Sequence, residues 1–333
     1  MLSVAAECQQ ALGYPARSNA DKTWLKQCVH ALTPPTVSPS PSSSGTPSPS
    51  PSPSPSPSLT PPPTTTPPPT TSPPPTPPAV GPCRHADGTI GCGFPDASNT
   101  GPTPGVALPV VTGTVSLNTA GAVYEGHEVH GCIVVSASGV IIRNVRVVTS
   151  CFYGIDYAPS ATPAVPLTIT HVEVECVAGS ANNAGIGEWS VDSDHVNVHG
   201  CENGWDIDRD ASVADSYCHQ TRNDHSDCIQ SSQSRRLIIR HNTLMMDGGG
   251  TSAMINAVSG STGDTFADNL AYGGAYTLYC PRDDTAGFAV TGNRFGSVTG
   301  VDNAYGYATF CTTPGVTWSG NVSDETGAAL PAI

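Results

Sequence analysis

The chain has 333 residues and a formal charge of −14, unevenly spread: residues 81–333 hold ten arginines, no lysine and 25 acidic residues, residues 1–32 three basic and two acidic ones. So acidic a domain repels a phosphate backbone, which excludes nucleic acid held by charge neutralisation and suits divalent cations or a substrate bridged by them. No apolar run reaches transmembrane length, and the twelve cysteines show no CxxC pair at zinc spacing, so they read as a disulfide framework formed in an oxidising compartment.

In chain order, MLSVAAECQQ carries neither the basic start nor the long apolar stretch of a signal peptide. Two routes outside fit it: a mature form with an added start methionine, or release by cell lysis as part of a virion. Residues 1–32 read as a small helical module. Val4, Cys8 and Leu12 recur at helical spacing, and after GYP Asn19 caps a second helix carrying Trp24, Leu25, Cys28 and Leu32. So short a piece cannot bury a sufficient core, and a Cys8–Cys28 bridge is its natural staple. The module suits docking to a cell-surface or virion component. Residues 33–80 are almost entirely Pro, Ser and Thr, a disordered, polyproline-like spacer of roughly 3 Å per residue.

From about residue 105 the chain repeats. GVIIRNVRVV (139–148), PLTITHVEVE (166–175), DHVNVHGCEN (194–203), DASVADSYCH (210–219), RRLIIRHNTL (235–244), GDTFADNLAY (263–272), GFAVTGNRFG (287–296) and PGVTWSGNVS (314–323) each give a short alternating strand, a polar turn and further apolar residues. A second strand follows: GIDY, GIGEW, GWDID, DCIQ, AMINA and YTLYC, beginning at 154, 185, 204, 227, 253 and 276. Two strands per repeat, an interval mostly in the twenties and recurring Asn at the turns (Asn242, Asn269, Asn293, Asn321) predict a right-handed parallel β-helix over 81–333, with eight to ten rungs and residues 83–120 as an N-terminal cap. A Greek-key sandwich would show closer turns with Asn-Gly hairpins, which are sparse.

The segments FPDASNTGPTPGVAL (94–108), HSDCIQ (225–230), GGAYTLYC (273–280) and WSGNVSDETG (318–327) resemble those of actinobacterial extracellular right-handed β-helix proteins of the pectate-lyase-like superfamily. The resemblance covers most of 92–327 and extends to β-helix phage tail proteins. It implies a secreted or virion-associated protein acting on, or binding, a polysaccharide. Fold alone does not choose among lyases, hydrolases and binders.

The run RNDHSDCIQSS (222–232) concentrates the chemistry. On consecutive rungs Ile207, Ile229, Ile255 and Leu278 are expected to point inward. Asp206, Asp208, Gln230, Asn256 and Tyr279 then fall on or near one solvent face, with Asp224, His225 and Asp227 on the turn that leads into it. Three chemistries compete. In β-elimination from an acidic glycan, Ca²⁺ held by Asp208, Asp224 and Asp227, or an arginine, neutralises a uronate while His225, Arg209, Arg222 or Arg282 removes the proton. In glycoside hydrolysis, Asp206 and Asp208 at i, i+2 approach the carboxylate separation of inverting enzymes. In a non-catalytic protein the aspartates only cap turns. Gln230, Asn256, Tyr276 and Tyr279, with Arg209 and Arg222, are the expected substrate contacts, since sugars stack on exposed aromatics. His127 and His130 in YEGHEVHG offer only two local metal ligands and read as structural. The cysteines pair by rung proximity: Cys83 with Cys92, Cys176 with Cys201, Cys280 with Cys311. Cys132, Cys151, Cys218 and Cys228 are left with no fixed partner, and a Cys218–Cys228 bridge would clamp the candidate loop.

Overall fold

The structure, a computed structural model, describes residues 81–333 apart from 159–164, 179–181, 189, 221–224, 233, 248–249, 257–260, 284 and 298–304. The helical module with its Cys8–Cys28 bridge and the 33–80 spacer lie outside the described residues, as do Arg222, Asp224 and the side chain of Asn256.

The chain coils as a parallel β-helix: every pairing between named strands is parallel, and each strand pairs with the equivalent strand one coil away. One flank is a nine-stranded sheet running from Val115–Leu117 to Gly306–Thr309. The other two flanks form one sixteen-stranded sheet. In the early rungs they are single long strands, Val123–His130, Ile141–Thr149 and Leu167–Cys176, bent at mid-length, and from residue 191 onward each splits into two. The coil completes about seven full turns, with incomplete rungs at both ends, short of the eight to ten expected from counting repeats.

Period-two alternation sends alternate side chains inward, and the coil stacks them on their equivalents one rung away. One buried column runs Ile133, Ile155, Ile186, Trp205, Ile229, Met254, Leu278, Ala308. A second runs Val129, Val147, Val174, Val198, Cys218, Leu244, Ala271, Phe295. A third, from Ile142 to Val290, contains one small residue, Ser193, and Trp205 fills that space while its indole donates to the Ser193 hydroxyl at 3.0 Å. Each fully buried Ile or Leu contributes about 2–3 kcal/mol.

The corner between the two halves of the larger sheet is held by backbone geometry and an amide ladder. Asn144, His171, His195, Asp215, His241 and Asp268 all have φ between 47° and 54°, and Gly292 and Gly320 close the series at 69° and 66°. The next residue in four successive rungs is a fully or almost fully buried asparagine. Asn242 donates to Asn269 at 3.0 Å, Asn269 to Asn293 at 3.1 Å and Asn293 to Asn321 at 2.9 Å, and each Nδ2 also donates to a backbone carbonyl of the preceding rung.

Residues 83–105 do not cap one end, as the sequence suggested, but run as a strap from the C-terminal rungs back toward the first. Cys83 and Arg84 donate backbone N–H groups to Asp324, Phe94 stacks on His241, Gly101 donates to the His195 carbonyl and Thr103 to Asn144. The cause is that the strap offers apolar groups to a strand face that is itself apolar there: Cys83, with Ile90 and Phe94, packs on Met245, Leu270 and Tyr272. Asp324 is fully buried. Burial raises its carboxyl, but hydrogen bonds from Tyr272, Arg294 and the two amides outweigh that and hold it below the usual carboxylate range. The stability it contributes is therefore present above pH ~4 and lost as pH falls through the lower folded value. Asp324→Ala is expected to cost about 3 kcal/mol by stranding Arg294 and the strap amides, read from denaturant midpoints at neutral pH.

Among the described residues five disulfides form: Cys83–Cys92, Cys132–Cys151, Cys176–Cys201, Cys218–Cys228 and Cys280–Cys311. Such bonds persist in oxidising surroundings. Among the described residues no helix is long and apolar enough to cross a membrane.

Candidate functional site

The register of the nine-stranded sheet aligns two rows outside its buried column, one partly exposed and one that is buried apart from Tyr153. At the strand centres the register aligns Asp156, Gly187, Asp206, Gln230, Ile255, Tyr279 and Thr309, and at the strand starts Tyr153, Ala184, Asn203, Asp227 and Ser252. The rows lie three positions apart because two consecutive residues turn inward between them: Cys228 reaches into the core to bond Cys218, and Ile229 joins the buried column. That local break in alternation corrects one expectation. Met254 faces the core, and Ile255, partly exposed, stands in the outward row where Asn256 was expected.

The polar groups on this face hold one another. A Cβ on Gly187 would lie 2.6 Å from the Tyr153 ring, so that ring occupies the space a side chain would take. Its hydroxyl reaches Asp206 Oδ2 at 3.3 Å, and Asn183 donates to the same oxygen at 3.0 Å. Asn203 donates to Gln230 at 2.9 Å and accepts the Asp227 backbone N–H at 3.1 Å. Asp227 is 2% exposed, and the Ser252 hydroxyl donates to it. Burial pushes its carboxyl well above the ordinary range, Ser252 opposes this, and the negative charges of Glu202 and Asp206 add to it. Two carboxyls thus lie on neighbouring strands in unlike surroundings: Asp206 partly exposed, Asp227 buried, where burial disfavours its charged form. Burial, helped by Asp227, raises the Tyr279 phenol as well. Tyr276 packs edge-on against Tyr279 at 5.3 Å and touches Tyr305, 71% exposed, at 5.6 Å.

Of the residues singled out from sequence, Asp206, Asp227, Gln230 and Tyr279 gather on this face and Tyr276 at its edge. His225 is exposed on the approach to Asp227. Asp208 lies past the strand end, where it accepts the Ser232 backbone N–H at 2.8 Å and the Ser231 hydroxyl at 3.4 Å. Arg209 is partly buried and bridges to Arg235 of the next coil, and Arg282 is exposed with its guanidinium 4.9 Å above the Phe310 ring. His127 stacks on Tyr124, and His130 pairs with Glu128 at 2.6 Å. The Cys218–Cys228 bridge closes the turn before Asp227, and its ten-residue span is worth about 3 kcal/mol. The double serine variant is expected to lose about that much stability in guanidinium titration.

A second concave feature was missed in the sequence. A cleft of about 430 Å³ lies between strap residues 97–104 and the outer face of the strands Leu167–Cys176, Asn197–His199 and Tyr217–Gln220. Two imidazole–carboxylate pairs line or border it, His199 with Glu173 at 3.0 Å and His219 with Asp247 at 2.8 Å. Each hydrogen bond holds its carboxylate below the usual range, and burial pushes the Tyr217 phenol up to about 12. The signal was the repeated i, i+2 polar phase in EVE (173–175), NVH (197–199) and YCH (217–219), which alternation alone reads as a solvated face.

Comparison with protein-family models, curated proteins and solved structures finds no match.

Proposed function

We propose that this protein is an extracellular glycan-processing β-helix protein that lays a polysaccharide along the outer face of its nine-stranded sheet and cleaves it there. The observation that carries the reading is the placement of Asp206 and Asp227 on neighbouring strands of one face, in unlike surroundings and flanked by Tyr153, Tyr276 and Tyr279. Carboxyls whose surroundings push their proton affinities apart divide into acid and base. Asp227 gives its proton to the glycosidic oxygen as the bond to the anomeric carbon breaks, and Asp206 takes a proton from the water that adds to that carbon. Tyr276 and Tyr305 supply stacking surface.

Elimination from a uronate is the second reading, favoured by the exposed His225 beside the same face. His225 would remove the C5 proton, with Ca²⁺ neutralising the carboxylate. Of the three aspartates first expected to hold that ion, Asp208 already accepts two hydrogen bonds and burial favours the neutral form of Asp227, which makes hydrolysis the better fit.

The test is to incubate the full chain with acidic and neutral polysaccharides, with and without Ca²⁺, following reducing ends and the ultraviolet absorbance of unsaturated uronates. Reducing ends alone support hydrolysis, and both signals together move the site to elimination. Silence across the panel overturns cleavage and leaves glycan binding, whether by a secreted protein or a phage tail component.

A further inference from the structure

From the strap-side cleft, away from the sheet face described above, we infer that the protein binds one divalent transition-metal ion of the zinc class, through Glu173, Glu175 and His199 with Asn197 beside them. The four residues form a square. Glu173 and Glu175 are i, i+2 on one strand, and Asn197 and His199 are their register partners on the next, all on the same outward face. One oxygen of each glutamate and one imidazole nitrogen already lie within 4.8 Å of one another, and His199 Nε2 is 3.0 Å from Glu173 Oε1. Ligand atoms around a tetrahedral zinc sit about 3.3 Å apart, given metal–ligand distances of about 2.0–2.1 Å. Rotation of the side chains closes that gap.

Charge and hydrogen bonding make this more than a cluster of acids. Arg146 pairs with three glutamates here, Glu128 at 3.1 Å, Glu173 Oε2 at 3.4 Å and Glu175 Oε2. Three carboxylates against one guanidinium leave two negative charges with the imidazoles uncharged, the deficit a divalent ion cancels. Arg146 engages Glu173 through Oε2 and leaves Oε1 on the His199 side. Independently, Asn197 lines the cleft, is 93% buried by its 7% exposure, and its side-chain oxygen accepts no hydrogen bond. A buried carbonyl oxygen left in this way calls for a hydrogen-bond donor or a cation at that point. Imidazole in the set favours zinc-like ions over Ca²⁺, which takes oxygen ligands.

The test uses the full chain stripped with a chelator and dialysed at neutral pH, titrated with Zn²⁺ against a competing chromophoric chelator. One equivalent is expected to bind and to raise the melting temperature, undisturbed by excess Ca²⁺. His199→Ala and Glu175→Gln are each expected to weaken binding at least about tenfold, whereas His171→Ala and His225→Ala leave it unchanged. Metal-free melting curves establish that the variants fold. Should they not, Co²⁺ added to the unaltered chain provides the second readout: an intense visible band from a four- or five-coordinate site is expected. The inference is overturned by absent or non-stoichiometric Zn²⁺ binding, by undiminished binding in folded His199→Ala, by loss of binding in His171→Ala, or by a Co²⁺ spectrum matching the hydrated ion.

Discussion

Asn269→Ala is expected to destabilise the β-helix by about 4–6 kcal/mol, a large fraction of the stability of an ordinary domain. Asn269 has Asn ladder neighbours on both sides and is fully buried. Its Oδ1 accepts from both the side chain and the backbone N–H of Asn242, and its Nδ2 donates to Asn293 Oδ1 and to the Ile239 carbonyl. Truncation strips partners from groups on both adjacent rungs, each costing about 1–3 kcal/mol where water cannot enter. Urea or guanidinium unfolding monitored by circular dichroism reads the loss. A change below about 1 kcal/mol would mean that water replaces the ladder. Asp268→Gly, one residue earlier, is the contrasting case. Asp268 holds φ 54°, which glycine adopts without strain, so a small effect is expected there.

The second large effect falls on activity. Asp227→Asn is expected to lower cleavage by about 10²–10⁴-fold, the range for loss of a positioned general acid, while leaving the fold intact. The same variant has a stability signature with a fixed sign. The unfolded chain ionises at Asp227 near pH 4, whereas in the folded chain burial delays ionisation to higher pH. Between those two values the unfolded state has released a proton that the folded state still holds, so wild-type stability falls as pH rises, then levels off. Asparagine does not titrate and still accepts from Ser252. Asp227→Asn and the wild type should therefore match below about pH 4 and diverge above it in the variant's favour. Melting temperatures at acid and neutral pH, taken alongside reducing-end assays, check both halves. An Asp227→Asn protein that is less stable at neutral pH yet fully active would place Asp227 among turn-capping residues and end its catalytic assignment.

That Asp206, Gln230 and Tyr279 share one row was legible because the interval between DCIQ and its equivalents in GWDID and YTLYC set the register, and register decides which side chains become neighbours. What misled was strict alternation. It placed Ile255 inward, whereas the inward double step at Cys228–Ile229 and its equivalents shifts the phase by one. That step answers to a disulfide reaching into the core and to glycines at 185 and 204, where a Cβ would collide with Val198 and with the Cys228 carbonyl oxygen. It is a packing event between flanks, invisible to a one-dimensional pattern.

The sequence by itself determined the coil. Apolar alternation, turn residues able to adopt positive φ and an asparagine in each of four successive rungs are local properties, and copying them at intervals in the twenties leaves little choice but stacking. Only the tertiary structure decided what the coil does with its surfaces. The strap at 83–105 is tied down by Asp324, some 240 positions away, and by His195 and Asn144, and the cleft lies beneath it. Likewise the raised proton affinity of Asp227 depends on burial and on charges from another rung, and the convergence of Glu173, Glu175 and His199 on strands 20 to 30 residues apart. Proton affinity and ligand geometry are set by distance and dielectric in space, and a sequence specifies those only through its fold.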